Sequence, residues 1–225
     1  MSVVDNLALI QKQIAQCALK AGRNPASVTL IAVTKNVSAA RAGECVAAGV
    51  ADLGENRVQE LRDKYPAVAG ARWHLIGHLQ SNKVKYIIGK VALLHSLDRW
   101  SLALEISRRS QEAGLVTPVL VQVNVAGEES KFGLPVDEVT DFVSEAAGLP
   151  GISTQGLMTI APFVEDPEEV RPVFRRLKQM ADRLREIPGA TMEQLSMGMT
   201  NDFQVAVEEG STMVRIGTAI FGSRY

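Results

Sequence analysis

Eight short apolar runs recur along the chain, each bounded by turn residues: VTLIAVTK (28 to 35), VADLGEN (50 to 56), RWHLIG (72 to 77), VALLHSL (91 to 97), PVLVQVN (118 to 124), STQGLMTI (153 to 160), EQLSMG (193 to 198) and TMVRIG (212 to 217). The first is apolar on both faces, the pattern of a strand in a parallel sheet covered on both sides. Between the runs lie segments with helical spacing and capping signals, such as 38 to 48, 98 to 113, 135 to 147 and 167 to 184. Strands alternating with helices imply a parallel α/β sheet, and eight such units in 225 residues fit a closed (β/α)8 TIM barrel. An open doubly wound sheet is the alternative with the same alternation. Val4, Leu7, Ile10, Ile14, Cys17 and Ala21 fall at helical spacing before Gly22 and Pro25, which predicts one extra helix ahead of the barrel. No linker-like composition shift divides the chain. The expectation is one domain over 1–225, with the helix in 1–22 and the barrel in 28–225.

Charge and cysteine usage then limit what such a barrel works on. Twenty-four Lys and Arg against 25 Asp and Glu leave a net charge of -1, so no overall basic field recruits nucleic acid or anionic lipid. Cys17 and Cys45 form no CxxC pair, which excludes a disulfide framework and the common zinc patterns and makes a reducing, cytoplasmic setting the default. The amino terminus lacks a basic leader and carries Asp5, Gln11, Lys12 and Gln13 where a signal peptide would be apolar. No run approaches the roughly 18 apolar residues of a membrane span. His74 and His78 are spaced as a helical metal pair, but they straddle the end of the third strand and no third ligand is near. In 165 to 185, acidic residues open a helix and arginines close it. Val170, Phe174, Leu177, Ala181 and Leu184 make its buried stripe, and Arg171, Arg175, Arg176 and Lys178 are expected on a solvated face.

In a barrel of this kind the working face is the carboxyl end of the strands. Ile31, Val33 and Lys35 alternate onto one face of the first strand, which places an amine at the end of an apolar wall. Desolvation there would favour the neutral, nucleophilic form and Schiff-base chemistry with an aldehyde or ketone. A lysine reaching past the strand end to solvent fits the same position. The second cluster is LSMGMTND (195 to 202), where Ser196 and Gly198 are followed by Thr200 and Asn201, together with Gly217 and Thr218 after the eighth strand. Loops after strands seven and eight are where barrels commonly hold a phosphate. Either loop alone is explained by turn and capping chemistry. A lysine after strand one and a phosphate cup after strands seven and eight would occupy adjacent mouths of a closed barrel, and one small phosphorylated aldehyde would span both. Pyridoxal 5'-phosphate meets that description.

AVTKNV (32 to 37), GENRVQE (54 to 60), WHLIGHLQSNK (73 to 83), GEESKFG (127 to 133), GLMTIAP (156 to 162), LSMGMTND (195 to 202) and VRIGTAIFG (214 to 222) resemble, in order and nearly from end to end, the successive signatures of the YggS/PROSC family of pyridoxal phosphate homeostasis proteins. The resemblance implies a single-domain version of the barrel found as the alanine-racemase N-terminal domain. It implies that Lys35 is the Schiff-base lysine, that Ser196, Gly198, Gly217 and Thr218 form the phosphate cup, that Arg215 faces the pyridine nitrogen and that Asn56 lines the ring. Where the family often has a tyrosine after that asparagine, this chain has Arg57.

The function implied is a pyridoxal phosphate (vitamin B6) and amino-acid homeostasis role without robust turnover. A racemase or lyase would need a second base, yet Tyr65 and Tyr86 fall in predicted helices and Tyr225 ends the chain. A Schiff-base aldolase is a third reading, although its lysine is usually on a later strand. Partners expected are the cofactor itself and PLP-dependent enzymes or a regulatory protein, through a surface such as Arg175 and Arg176. The absence of a second domain points to a monomer.

Overall fold

A computed structural model gives the structure of residues 2–128 and 132–222. Glu129, Ser130 and Lys131 of the GEESKFG motif, and Tyr225, lie outside the described residues. The chain opens with helix α1 (Val3–Lys20), continues through β1 (Thr29–Val33), α2 (Ala39–Ala47), β2 (Asp52–Glu55), α3 (Val58–Lys64) and β3 (Arg72–Leu75), and reaches β4 (Leu93–Leu97) by way of a 3-10 helix at Ser81–Tyr86. Then follow α4 (Trp100–Glu112), β5 (Thr117–Gln122), α5 (Val139–Ala147), β6 (Ile152–Met158), α6 (Arg171–Leu184), β7 (Ala190–Ser196), α7 (Phe203–Glu208), β8 (Met213–Ile216) and α8 (Thr218–Phe221). All eight strands pair in parallel in sequence order, and β8 returns to β1 to close the barrel. The closed barrel, rather than the open sheet, is therefore the fold.

Helix α1 starts where Ser2 and Asp5 satisfy each other's backbone amides in a capping box. Its buried stripe is Val3, Leu7, Ile10, Ile14 and Ala18. Val4, expected in that stripe, is 53% exposed, because the 4-3-4 spacing that reaches the barrel starts one residue earlier. The helix packs against α7 and α8, covering the seam where the barrel closes. Inside the barrel, Ile31, Leu93, Leu120, Met158 and Met213 form a small apolar cluster separate from the main core between strands and helices. Around and above it the lumen is polar.

The face of α6 expected to be solvated is partly used for packing. Arg171 bridges Glu208 at 2.7 Å and Glu209 at 2.9 Å, and Arg175 reaches Glu209 at 2.9 Å, so these arginines tie α6 to α7. Among the described residues no helix is long and apolar enough to cross a membrane. Both cysteines are free thiols. Burial pushes the Cys45 thiol up to about 11 and raises that of half-buried Cys17 less far. A thiol reagent such as dithionitrobenzoate is expected to label Cys17 first and Cys45 only when the protein unfolds. Equal rates for the two in native conditions would contradict this packing.

Candidate functional site

The carboxyl ends of the strands open into one cavity of about 540 Å³, within the range of small-molecule sites. Its wall includes Lys35, Asn56, Arg215, Gly217 and Thr218, so five of the seven residues expected at the site converge there from β1, β2 and β8. Ser196 and Gly198 are not on that wall. Ser196 sits one layer below, fully buried, where its Oγ accepts a 2.5 Å hydrogen bond from Arg215. Gly198 makes the tight exit from β7: at φ +94°, its added Cβ would lie 2.6 Å from that of Ala206. The loop after β7 reaches the cavity instead through Met199, Thr200 and Asn201.

Lys35 lies two residues past the end of β1, and its side chain is exposed in the open mouth, so the apolar wall does not by itself remove the amine from water. What holds the segment is a buried polar cluster behind it. Thr34 donates its hydroxyl to Glu55 at 2.5 Å, Lys64 donates to the Thr34 carbonyl at 2.7 Å, and Glu60 accepts from the Asn36 amide at 2.6 Å. Asn36 adopts φ +57°, a left-handed conformation that asparagine tolerates, and this turns the chain sharply after the lysine. Lys64 also contacts Glu55 at 2.7 Å and Glu60 at 2.9 Å, so one buried ammonium serves both carboxylates. Burial pushes the Glu55 carboxyl up, against the Lys64 and Thr34 hydrogen bonds that favour its ionised form. Its Oε2 is buried without a hydrogen-bond partner.

Arg215 is 4% exposed. One terminal nitrogen bonds Ser196, the other donates to the Thr159 carbonyl at 2.9 Å, and the guanidinium still borders the cavity. Burial pulls its pKa down to about 10, opposed by the charge of Asp202, which leaves it cationic at neutral pH.

Other residues of the wall were not among those expected at the site. His78 stacks on Phe132 with ring centroids 4.2 Å apart and lies 3.3 Å from Asp98. Gln122 holds the same loop by donating to the Phe132 carbonyl at 3.0 Å. Phe132, Ile160 and Phe163 add an apolar part to the wall beside them. His74 does not accompany His78: it lies inside the barrel, 1% exposed, bonded to His95 and Asp52. Among the described residues no group of three His, Cys, Asp or Glu could hold a metal ion. Tyr65 and Tyr86 lie outside the cavity, in contact with Lys90 and Arg62 respectively, and Arg57 is exposed at the start of α3.

Comparison with known proteins shows the family to which this barrel belongs. The alanine racemase N-terminal domain family matches residues 6–225. A pyridoxal phosphate homeostasis protein of Aquifex aeolicus is 43% identical over 100% of this chain and 99% of its own length. The structure of PipY from Synechococcus elongatus with PLP bound is 33% identical with a TM-score of 0.87, covering 98% of this chain and 100% of that one. An alanine racemase from Corynebacterium glutamicum, 17% identical with a TM-score of 0.74, shares the fold over 98% of this chain and 62% of its own. The chain thus belongs to the alanine racemase N-terminal domain family and, within it, to the pyridoxal phosphate homeostasis proteins.

Proposed function

We propose that this chain binds pyridoxal 5'-phosphate at the barrel mouth, with Lys35 as its covalent anchor, and serves cytoplasmic vitamin B6 and amino-acid homeostasis as a monomer without robust turnover. The observation that carries the reading is that an amine, a buried guanidinium and the loops after β7 and β8 face one cavity. The donor set fits the group: a primary amine for an aldehyde, a fixed cation for a ring nitrogen, and the hydroxyls of Thr200 and Thr218 beside Gly217 for a phosphate. When bound, the cofactor supplies an aldehyde that condenses with a primary amine, releasing water.

The residues of the chain do the rest. Lys35 must present its neutral amine, and filling the cavity removes the water that solvates it in the open mouth. Arg215 does not give up its proton at neutral pH, so it offers only N–H donors to the ring nitrogen and keeps that nitrogen unprotonated. A ring held in that way draws electrons weakly, which suits holding over turnover. Asn56, on the same wall, is the residue that would line the ring. Ser196 and Gly198, expected in the phosphate cup, act behind it, the first on Arg215 and the second on the β7 exit.

One observation favours a second reading as a racemase or lyase: His78 is a titratable group on the same wall as Lys35. Incubating the loaded protein with single amino acids in deuterated water separates the two, since turnover exchanges the α-proton. No exchange is expected for any amino acid. Exchange that depends on Lys35 and His78 would replace the carrier with an enzyme.

A further inference from the structure

The barrel lumen holds an unbroken row of polar side chains that the site does not account for. Arg215 donates to Ser196 Oγ at 2.5 Å, Ser196 Oγ lies 2.8 Å from His95 Nδ1, His95 Nε2 lies 3.0 Å from His74 Nδ1, and His74 Nε2 lies 2.8 Å from Asp52 Oδ1. His74, His95, Ser196 and Arg215 are each at most 4% exposed. Asp52 and Arg72, 3.4 Å apart, open β2 and β3, so the row runs from the cavity floor to the opposite end of the barrel. Barrel interiors are commonly filled by branched apolar layers. Two imidazoles in series there call for an account.

We propose that Asp52, His74, His95 and Ser196 form a proton-ordered relay that positions Arg215 for its ligand. The inference rests on the reading of Arg215 as the partner of the cofactor's ring nitrogen. A guanidinium can only donate and a carboxylate can only accept, while a hydroxyl and a neutral imidazole each have one proton to give. With the two ends fixed, every link takes one direction. Ser196 accepts from Arg215 and donates to His95 Nδ1, His95 donates from Nε2 to His74 Nδ1, and His74 donates from Nε2 to Asp52. Both histidines are then neutral Nε2–H tautomers.

The competing arrangement makes His74 an imidazolium and reverses His95. The Ser196 hydroxyl would then accept from both Arg215 and His95, leaving its own hydrogen in a buried site with no described acceptor. Burial, with the Arg215 charge nearby, holds the His95 pKa well below its ordinary value, so His95 is neutral in either arrangement and the buried Ser196 hydrogen decides between them. Each bond in such a row polarises the next, so the acceptor at Asp52 strengthens the hold on Arg215. Ser196, His95, His74 and Asp52 are thus positioning residues, acting through Arg215 without bordering the cavity.

The test uses the full chain with 15N-labelled histidine, of which there are only three, and reads the ring nitrogens by long-range 1H–15N correlation. Wild type is expected to show Nε2–H for both His74 and His95, with or without pyridoxal phosphate. Asp52→Ala, remote from the cavity, is expected to give mixed His95 tautomers and to weaken pyridoxal phosphate binding roughly two- to tenfold, the scale of one hydrogen bond. Asp52→Asn, which keeps a carbonyl acceptor, is expected to restore both. A protonated Nδ1 on either ring in wild type, or Asp52→Ala with tautomers and affinity unchanged, overturns the relay. Ordered tautomers in a protein that binds no pyridoxal phosphate would count against the proposed function and leave the ordering intact.

Discussion

Replacing Lys64 with methionine is expected to cost about 3 to 5 kcal/mol of folding stability, the scale measured when one partner of a buried ion pair is removed. Among the described residues Lys64 is the only cation bonded to Glu55, which is fully buried, and it also pairs with Glu60 and holds the Thr34 carbonyl. Without it two carboxylates face each other behind the strand end that carries Lys35. The pH dependence has a definite sign. Burial already raises the Glu55 pKa above 4.5, and losing Lys64 removes its chief opposing influence, so the folded value rises further. A carboxyl that binds protons more tightly when folded loses stability as pH rises from the unfolded value through the folded one. The deficit against wild type should therefore be small in acid and widen toward neutrality. Denaturant unfolding at a mildly acidic and a mildly alkaline pH checks this. The double variant Glu55→Gln/Lys64→Met should recover part of the loss, and an unfolding midpoint equal to wild type at both pH values would refute the role given to this cluster.

Gly156→Ala is expected to be comparably damaging, by about 3 kcal/mol or more, for a steric reason. A Cβ at this position would lie 1.8 Å from the Gln194 carbonyl oxygen, a backbone atom of the neighbouring strand. The strands β6 and β7 shift register between Thr154 and Gly156, and the glycine lets β7 close up at that irregularity. To admit a methyl group the two strands must part. Ser196 lies two residues beyond Gln194 on β7, so its bond to Arg215 is displaced with it, and pyridoxal phosphate affinity is expected to fall along with thermal stability. A variant with wild-type melting temperature and affinity would show that β7 yields there without cost.

Much of the barrel was legible because its strands fall in short apolar runs bounded by turn residues and alternate with helical segments, a signal that survives without any partner in view. The misses have local causes. The seventh strand starts at Ala190, before the expected 193, because Thr191 and Glu193 are exposed and dilute the apolar run. The third crossover is a 3-10 helix at Ser81–Tyr86, shorter than the helix predicted around Tyr86. At the site, Lys35, Gly217 and Thr218 could be expected because strand ends have a common destination in a barrel, whereas Asn56 and Arg215 were expected from the family resemblance alone. Ser196 could not, since depth inside the lumen depends on the stagger between strands, and its partner His95 is 101 residues away. The same holds for His74. Spacing along the chain suggested His78 as its companion, whereas pairing across β2, β3 and β4 gives it Asp52 and His95.

Lys35 is the amine proposed to hold pyridoxal phosphate, and the most direct measurement is to trap the cofactor there. The protein is loaded with pyridoxal phosphate, reduced with borohydride, digested with trypsin and read by mass spectrometry beside Lys35→Ala. A reduced lysine resists trypsin, so the expected product is the peptide spanning 24 to 41 with one missed cleavage and the cofactor's mass on Lys35. The variant should carry no label and lose the visible absorbance of the loaded protein. A label on another lysine, or equal labelling of wild type and variant, would contradict the assignment.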